Sequence, residues 1–306
     1  MFFGILDREI CSSTDQNKNH MKKLIFLCII FLGFSNGNPT YRIFNENGKP
    51  VRYQKMIRQI SQADIILFGE LHDNPISHWM ELQITKDLYA LKGENLLLGA
   101  EMFETDNQEA LNKYVSGDSS DEEFYESIRL WKNYSTDYKP LVEFAKDHQL
   151  SFIATNIPHR YATMVYKKGF TALDTLSDTE KRWIAPLPIE YDSELPGYRS
   201  MKELGGMHMS IDEIENLPKA QAVKDATMAH FIQSNFENGK SFLHFNGAYH
   251  SNNFEGIVWY LRQAYPDLNI VTIYTTSAKQ IKKLDPLLKG SNSFFVVVRD
   301  DMTKTF

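Results

Sequence analysis

The chain has 306 residues, 42% of them hydrophobic and 24% charged, with a formal net charge of −6. This length suits one large domain or two modest ones, and the composition is that of an ordinary soluble globular protein. A mildly acidic chain without a basic stripe speaks against nucleic acid as a partner.

Residues 1–20 are polar and patternless. Met21-Lys-Lys23 then leads into the apolar run 24–34 and the small residues Ser35-Asn-Gly37. A basic start, a short apolar run and small residues mark a secretory signal peptide. The run is too short for a bilayer-spanning anchor. The chain therefore divides into residues 1–37, an N-terminal extension and signal peptide with Met1 or Met21 as the start, and residues 38–306, the folded domain. Export to the periplasm or cell envelope follows. Cys28 sits mid-run after Leu27, which fits lipoprotein processing poorly. Both cysteines, Cys11 and Cys28, fall within 1–37. The mature chain thus lacks disulfides and Cys ligands, and losing four basic and three acidic residues takes its formal charge to −7.

Short apolar runs predict strands over 64–69, 96–101, 151–155, 241–246, 269–275 and 294–299. Helical patterns fall between them, at about 75–91, 106–116, 121–133, 138–148, 159–168, 218–237, 252–264 and 278–286. In the first of these, Asn74 is the expected N-cap and Pro75 the N1 residue. Ile76, Met80, Ile84, Leu88 and Leu91 share a face there. The alternation predicts an α/β fold, with a mostly parallel sheet and helices on both faces. The stretch from about 171 to 237 has no strand pattern and carries Pro186, Pro188, Pro196 and Pro218. It reads as a smaller helical insertion, a lid over the crevice.

Four predicted strands end on polar groups: Glu70 and His72, Glu101, Asn156, and Asn246 with His250. Ligands in open α/β sheets bind beyond the carboxyl ends of the strands, so one crevice should gather these side chains. Glu70 and His72 share a face in extended geometry. His78 lies near the N-terminus of the following helix, where anions are attracted. Glu101, ending an apolar strand, needs a partner such as His72 or a cation. His72, Glu101 and His250 could hold a divalent metal. Glu70, His72, Glu101 and His250 could equally form a metal-free acid–base set. Arg160 could meet a ligand carboxylate, with helix capping around Pro158 as the plainer alternative. Met201, Met207, His208 and Met209 could be soft ligands, although packing is the commoner role of such methionines. Tyr161, Tyr166, Tyr198 and Tyr249 fall near site elements, and tyrosinate is a known axial haem ligand.

Ile66-Leu-Phe-Gly-Glu-Leu-His72 with His78, Glu101-Met-Phe103, Asn156-x-Pro158-x-x-Tyr161, Asp225-Ala-Thr-Met-Ala229 and Asn246-Gly-Ala-Tyr-His250 together resemble the ChaN haem-binding uptake family. This family lies within the Tiki/TraB/erythromycin-esterase-like superfamily, and the resemblance spans roughly residues 50–275. It implies an α/β core with a helical part, a cell-envelope role in haem or iron uptake, and haem held in a homodimer. Tyr161 and Tyr249 become candidate haem ligands because they lie inside matching motifs, with His78, Arg160 and Asn246 as further cofactor contacts. Glu70, His72, Glu101 and His250 match the pocket of the superfamily's hydrolytic relatives. A haem-binding uptake protein is the leading expectation. A hydrolase, with or without metal, is the rival, and an envelope scaffold with a vestigial pocket is a third reading.

Overall fold

The computed structural model describes residues 39–204 and 209–306. Seven strands form one sheet: β1 (Tyr41–Asn45), β2 (Ile65–Glu70), β3 (Leu96–Glu104), β4 (Phe152–Asn156), β5 (Ser241–Gly247), β6 (Ile270–Ala278) and β7 (Phe294–Arg299). Their order is β1-β7-β6-β2-β5-β3-β4. β1 runs antiparallel to β7, and all other pairings are parallel. The parallel strands β2 and β5 are buried along their whole length. That explains the apolar run Ile65–Phe68 of β2, since helices cover both faces, whereas β5 carries the buried polar residues Ser241, His244 and Asn246.

Nine α-helices accompany the sheet among the described residues: α1 (Tyr53–Ile60), α2 (Pro75–Lys92), α3 (Gln108–Ser116), α4 (Asp121–Ser127), α5 (Lys139–His148), α6 (His159–Lys168), α7 (Pro196–Leu204), α8 (Ile211–Asn235) and α9 (Ile257–Ala264). Asn74 caps α2 as expected, accepting from the backbone N–H groups of Ile76 and Ser77. None of the described helices is long and apolar enough to cross a membrane. The expected signal peptide, like Met207 and His208, lies outside the described residues.

Four expectations change. β1 and α1 carry no strong signal: β1 is a short edge strand, and α1 starts at Tyr53 after Arg52, which provides no side-chain cap. The helix expected over 121–133 stops at Ser127, where Ile128 is extended, and a π-helical turn follows at Tyr134–Tyr138. α8 begins at Ile211 rather than near 218, because Ser210 and Glu213 form a capping box and Pro218 is carried inside the helix. No helix forms over 278–286: β6 runs to Ala278 and only the single turn Pro286–Leu288 follows. There, Ile281 and Leu284 are drawn down to pack with Phe44, Phe295 and Val297.

The topology sets where the site must be. From β2 the chain moves outward to β3 and β4, returns as β5 between β2 and β3, then crosses β2 to β6. The direction of winding reverses around β2 and β5, and their carboxyl ends open onto the crevice that such a reversal creates.

Candidate functional site

Strand register brings the predicted residues together. β2 and β5 pair so that Glu70 lies beside Gly247. Regular pairing of β3 with β5 ends at Ala100, opposite Phe245, and the β3–β4 register shifts between Ala100 and Glu104. Glu101 therefore sits in an irregularity within β3 instead of at its end. Bulges of this kind re-aim a side chain, and here the carboxylate turns toward β5: Glu101 Oε2 accepts from the Gly247 N–H at 2.7 Å.

Two carboxylate–imidazole assemblies result. In the first, His250 is held between two acids, with Nε2 3.1 Å from Glu101 Oε1 and Nδ1 2.5 Å from Asp225 Oδ1. Asp225 comes from α8, and Tyr198 of α7 donates to its other oxygen at 2.8 Å. Burial alone would lower the imidazole's pKa. The two facing carboxylates outweigh that and push it up to about 9. Glu101 is itself held well below the usual carboxylate range, because His250 overrides the cost of burial. With carboxylates at both nitrogens, His250 is an imidazolium at neutral pH, which suits electrostatic or acid work rather than metal ligation. Gly256 lets the chain close around it: a Cβ there would lie 2.3 Å from the His250 carbonyl oxygen.

In the second assembly, Glu70 Oε1 lies 2.7 Å from His72 Nδ1 and accepts from the Tyr138 hydroxyl at 2.6 Å. The other carboxylate oxygen is 3.5 Å from His78 Nδ1. Burial raises the pKa of Glu70, but hydrogen bonding with Glu81 and with His72 outweighs it and holds the acid at about 2. His72 is raised, since Glu70 and Glu101 overcome its partial burial. Its side chain stays 42% exposed and packs edge-on against Trp131, with ring centroids 5.0 Å apart. Its Nε2 edge faces Gly247, where a Cβ would come within 2.6 Å of Nε2 and 3.4 Å of Glu101 Oε2. The absence of a side chain at Gly247 thus lets His72 stand over Glu101.

His78 is buried and does not present itself to anions. Its Nδ1 is 3.1 Å from Glu81 Oε2, while Nε2 is 3.0 Å from the His72 carbonyl oxygen and 3.5 Å from Asp137 Oδ2. Burial and the neighbouring Glu70 push the Glu81 carboxyl well above its ordinary range. Asn246 is fully buried and bonds to the His244 ring, the Gly247 carbonyl and Ser251, so it braces the strand end. Burial drives the His244 pKa down to about 4, leaving a neutral ring.

The remaining candidates lie apart from this centre. Tyr161 is buried in a separate cluster, and its hydroxyl is engaged by Arg160 at 3.0 Å and Glu180 at 3.1 Å. Arg160 pairs with Asp106 at 2.7 Å and lies over the Tyr161 ring. Tyr249, beside His250, is 67% exposed. Tyr166 packs at the edge of the Tyr161 cluster. The two surface cavities described in this structure also lie away from the acid–His groups, one lined by Pro186, Ile189, His230 and Tyr260, the other by Lys167, Lys168, Asn216 and Lys219.

Tyr138, Asp137, Glu81, Asp225 and His244 are site residues beyond the predicted set. Glu81 carried a signal, standing three residues after His78 on the same helical face. Asp225 did as well, as an acid within an alanine-rich apolar run. Tyr138 and Asp137 had none, because the π-helical turn that delivers them has no sequence signature.

The haem-binding uptake family, ChaN, of the Tiki superfamily matches residues 56–261. The chain belongs to that family. ChaN of Campylobacter jejuni, whose structure is described as showing cofacial heme binding, superposes with a TM-score of 0.65 at 17% identity, covering 86% of this chain and 98% of that one. A Bacillus cereus protein superposes with a TM-score of 0.50 at 12% identity, covering 80% of this chain and 90% of that one. An erythromycin esterase reaches 0.44 at 12% identity, covering 85% and 83%. At these identities the first two superpositions speak to the fold alone. No curated protein matches the chain.

Proposed function

We propose that this family member is an exported haem-binding protein serving haem or iron uptake at the cell envelope, with haem held between two copies of the chain and the 171–237 insertion flanking it. The observation that carries this reading is Tyr249. It lies within a family motif at the end of β5, beside the crevice, and its ring is exposed, whereas the Tyr161 hydroxyl is already engaged. Bound haem would supply an iron that takes an oxygen or nitrogen donor, and in this reading Tyr249 would give one. Lys224 lies within electrostatic reach of Glu101 and His159, and we assign it to pair with a propionate. Haem titration of the purified protein should give a saturable, shifted Soret band that Tyr249→Phe displaces and Tyr161→Phe does not. Broad, non-saturating absorbance would end this reading.

One observation favours a second reading, hydrolysis. Glu70 holds Nδ1 of His72, whose side chain is 42% exposed, the arrangement of a general base oriented by a carboxylate. The imidazolium of His250 stands nearby to stabilise developing negative charge. In that case His72 takes a proton from water or a hydroxyl nucleophile, and Glu70 fixes its tautomer. His72→Ala should then abolish turnover of a responsive ester or amide while haem binding persists. Full retention of turnover would exclude His72 as the base.

A further inference from the structure

Beneath His72 lies a buried group of which only Glu70 enters either reading. Glu70, His78 and Glu81 are the group of three among the described residues whose possible ligand atoms all lie within 4.8 Å of one another. Glu81 is completely buried and Glu70 nearly so. One oxygen of each, Glu81 Oε1 and Glu70 Oε2, has no hydrogen-bond partner, although the two carboxyl groups are close enough to hydrogen-bond each other. Orphaned carboxylate oxygens that face one another away from water are costly. Something positive must lie between them.

The imidazole orientation indicates what that is. Nε2 of His78 meets only acceptors, the His72 carbonyl at 3.0 Å and Asp137 Oδ2 at 3.5 Å. It therefore carries the proton, and in the neutral ring Nδ1 is the lone pair that faces Glu70 and Glu81. A ligating histidine whose other N–H is given to a backbone carbonyl and a carboxylate is the usual outer-shell arrangement of a metal site. Asn133 anchors that outer shell, donating to Asp137 at 2.6 Å and to the His72 carbonyl at 3.0 Å. The separations of Nδ1 from Glu81 Oε2 and Glu70 Oε2 are 3.1 and 3.5 Å. Donors about 2.0–2.2 Å from a tetrahedral cation are roughly 3.3–3.6 Å apart, so both nitrogen–oxygen separations suit a shared cation.

We infer that Glu70, His78 and Glu81 form a buried site for one divalent transition cation, with Asp137 and Asn133 as its outer shell. One nitrogen and two carboxylate oxygens suit Zn2+ or Mn2+ better than an all-oxygen ion such as Mg2+. Glu70 links this site to His72, so occupancy is coupled to the exposed imidazole. This site is distinct from the His72, Glu101 and His250 set.

Calorimetric titration of the chelator-treated, full-length protein with Zn2+ and with Mn2+ tests the inference, alongside thermal unfolding with and without each ion. One equivalent should bind saturably and raise Tm. Glu81→Gln and His78→Gln should each weaken binding more than tenfold, and Asp137→Asn by about 10–100-fold as an outer-shell change. His250→Gln should leave binding intact. The wild-type titration decides the matter even if a variant fails to fold. No saturable heat and no ion-dependent rise in Tm would overturn the site and leave a proton shared by Glu70 and Glu81. Binding that survives Glu81→Gln and His78→Gln but is lost in His250→Gln would overturn it in favour of the upper pocket.

Discussion

The two acid–imidazole assemblies at the carboxyl edge of this sheet use the same residue types and reach opposite states. Around His250, one imidazolium lies between two carboxylates, and donors from Gly247 and Tyr198 satisfy the remaining acid oxygens. Charge and hydrogen bonding close there without help. Around His78, three acids converge, and an oxygen of Glu70 and one of Glu81 have no donor. A buried network whose members are all satisfied rigidifies a fold, whereas an unsatisfied one is costly and calls for an explanation. The first assembly is thus a fixed electrostatic device. The second is a receptor for positive charge.

The largest expected effect tests the closed assembly. Glu101→Ala strips one of its two carboxylates from the buried His250 imidazolium and leaves the Gly247 N–H unbonded, and should cost about 3–5 kcal/mol, measured by urea unfolding. A cost near zero would mean that the His250 charge is solvated and the comparison fails.

The second prediction concerns pH. His250 is raised in the folded protein to about 9, so its contribution is fully present below its unfolded value of about 6.5 and is lost as pH rises through 9. The stake is about 3 kcal/mol. Glu101 is depressed, so its side of the same pair is present above the ordinary carboxylate value and fails only in strong acid. Tm recorded from pH 6 to 10 should fall toward the alkaline end, and the slope should flatten in His250→Gln. An equal slope in both proteins would assign the alkaline loss to other groups.

A smaller effect is expected at Gly247→Ala. The new methyl group meets His72 Nε2 and Cε1, at 2.6 and 2.8 Å. The half-exposed ring can swing aside, so the stability loss should stay near the lower end of about 1–3 kcal/mol for overpacking. The His72 ring should leave its place over Glu101, visible as a changed imidazole NMR shift. An unshifted resonance would show that the pocket is wider than this geometry.

The smallest effect sharpens the contrast most. Without added metal, Glu81→Gln replaces a carboxyl that burial and Glu70 already drive toward its neutral form, and should change stability by no more than about 1 kcal/mol, against the several expected at Glu101. A loss as large as that of Glu101→Ala would erase the distinction between the two assemblies.

The main strands were legible because apolar runs of strand length between helical periods leave little choice. The acid, amide and imidazole groups at their ends were legible for the same reason. Less legible was anything depending on where chains meet sideways. The edge strand β1 has only β7 to define it. The helix expected over 278–286 yielded to the pull of Phe44 and Phe295 on Ile281 and Leu284. Tyr138 and Asp137 reach Glu70 and His78 through a π-helical turn that no local pattern announces.

The sequence by itself determined the α/β class through its strand and helix periods, and its motifs carried the family resemblance and named Glu70, His72, Glu101 and His250 as candidates for one crevice. Only the tertiary structure decided the state of each group. It set His250 between Glu101 and Asp225, kept His244 neutral, tied up Tyr161 while exposing Tyr249, and put Glu81 against Glu70. Charge and pKa depend on burial and on partners within a few ångströms, and those partners come from segments far apart in the chain.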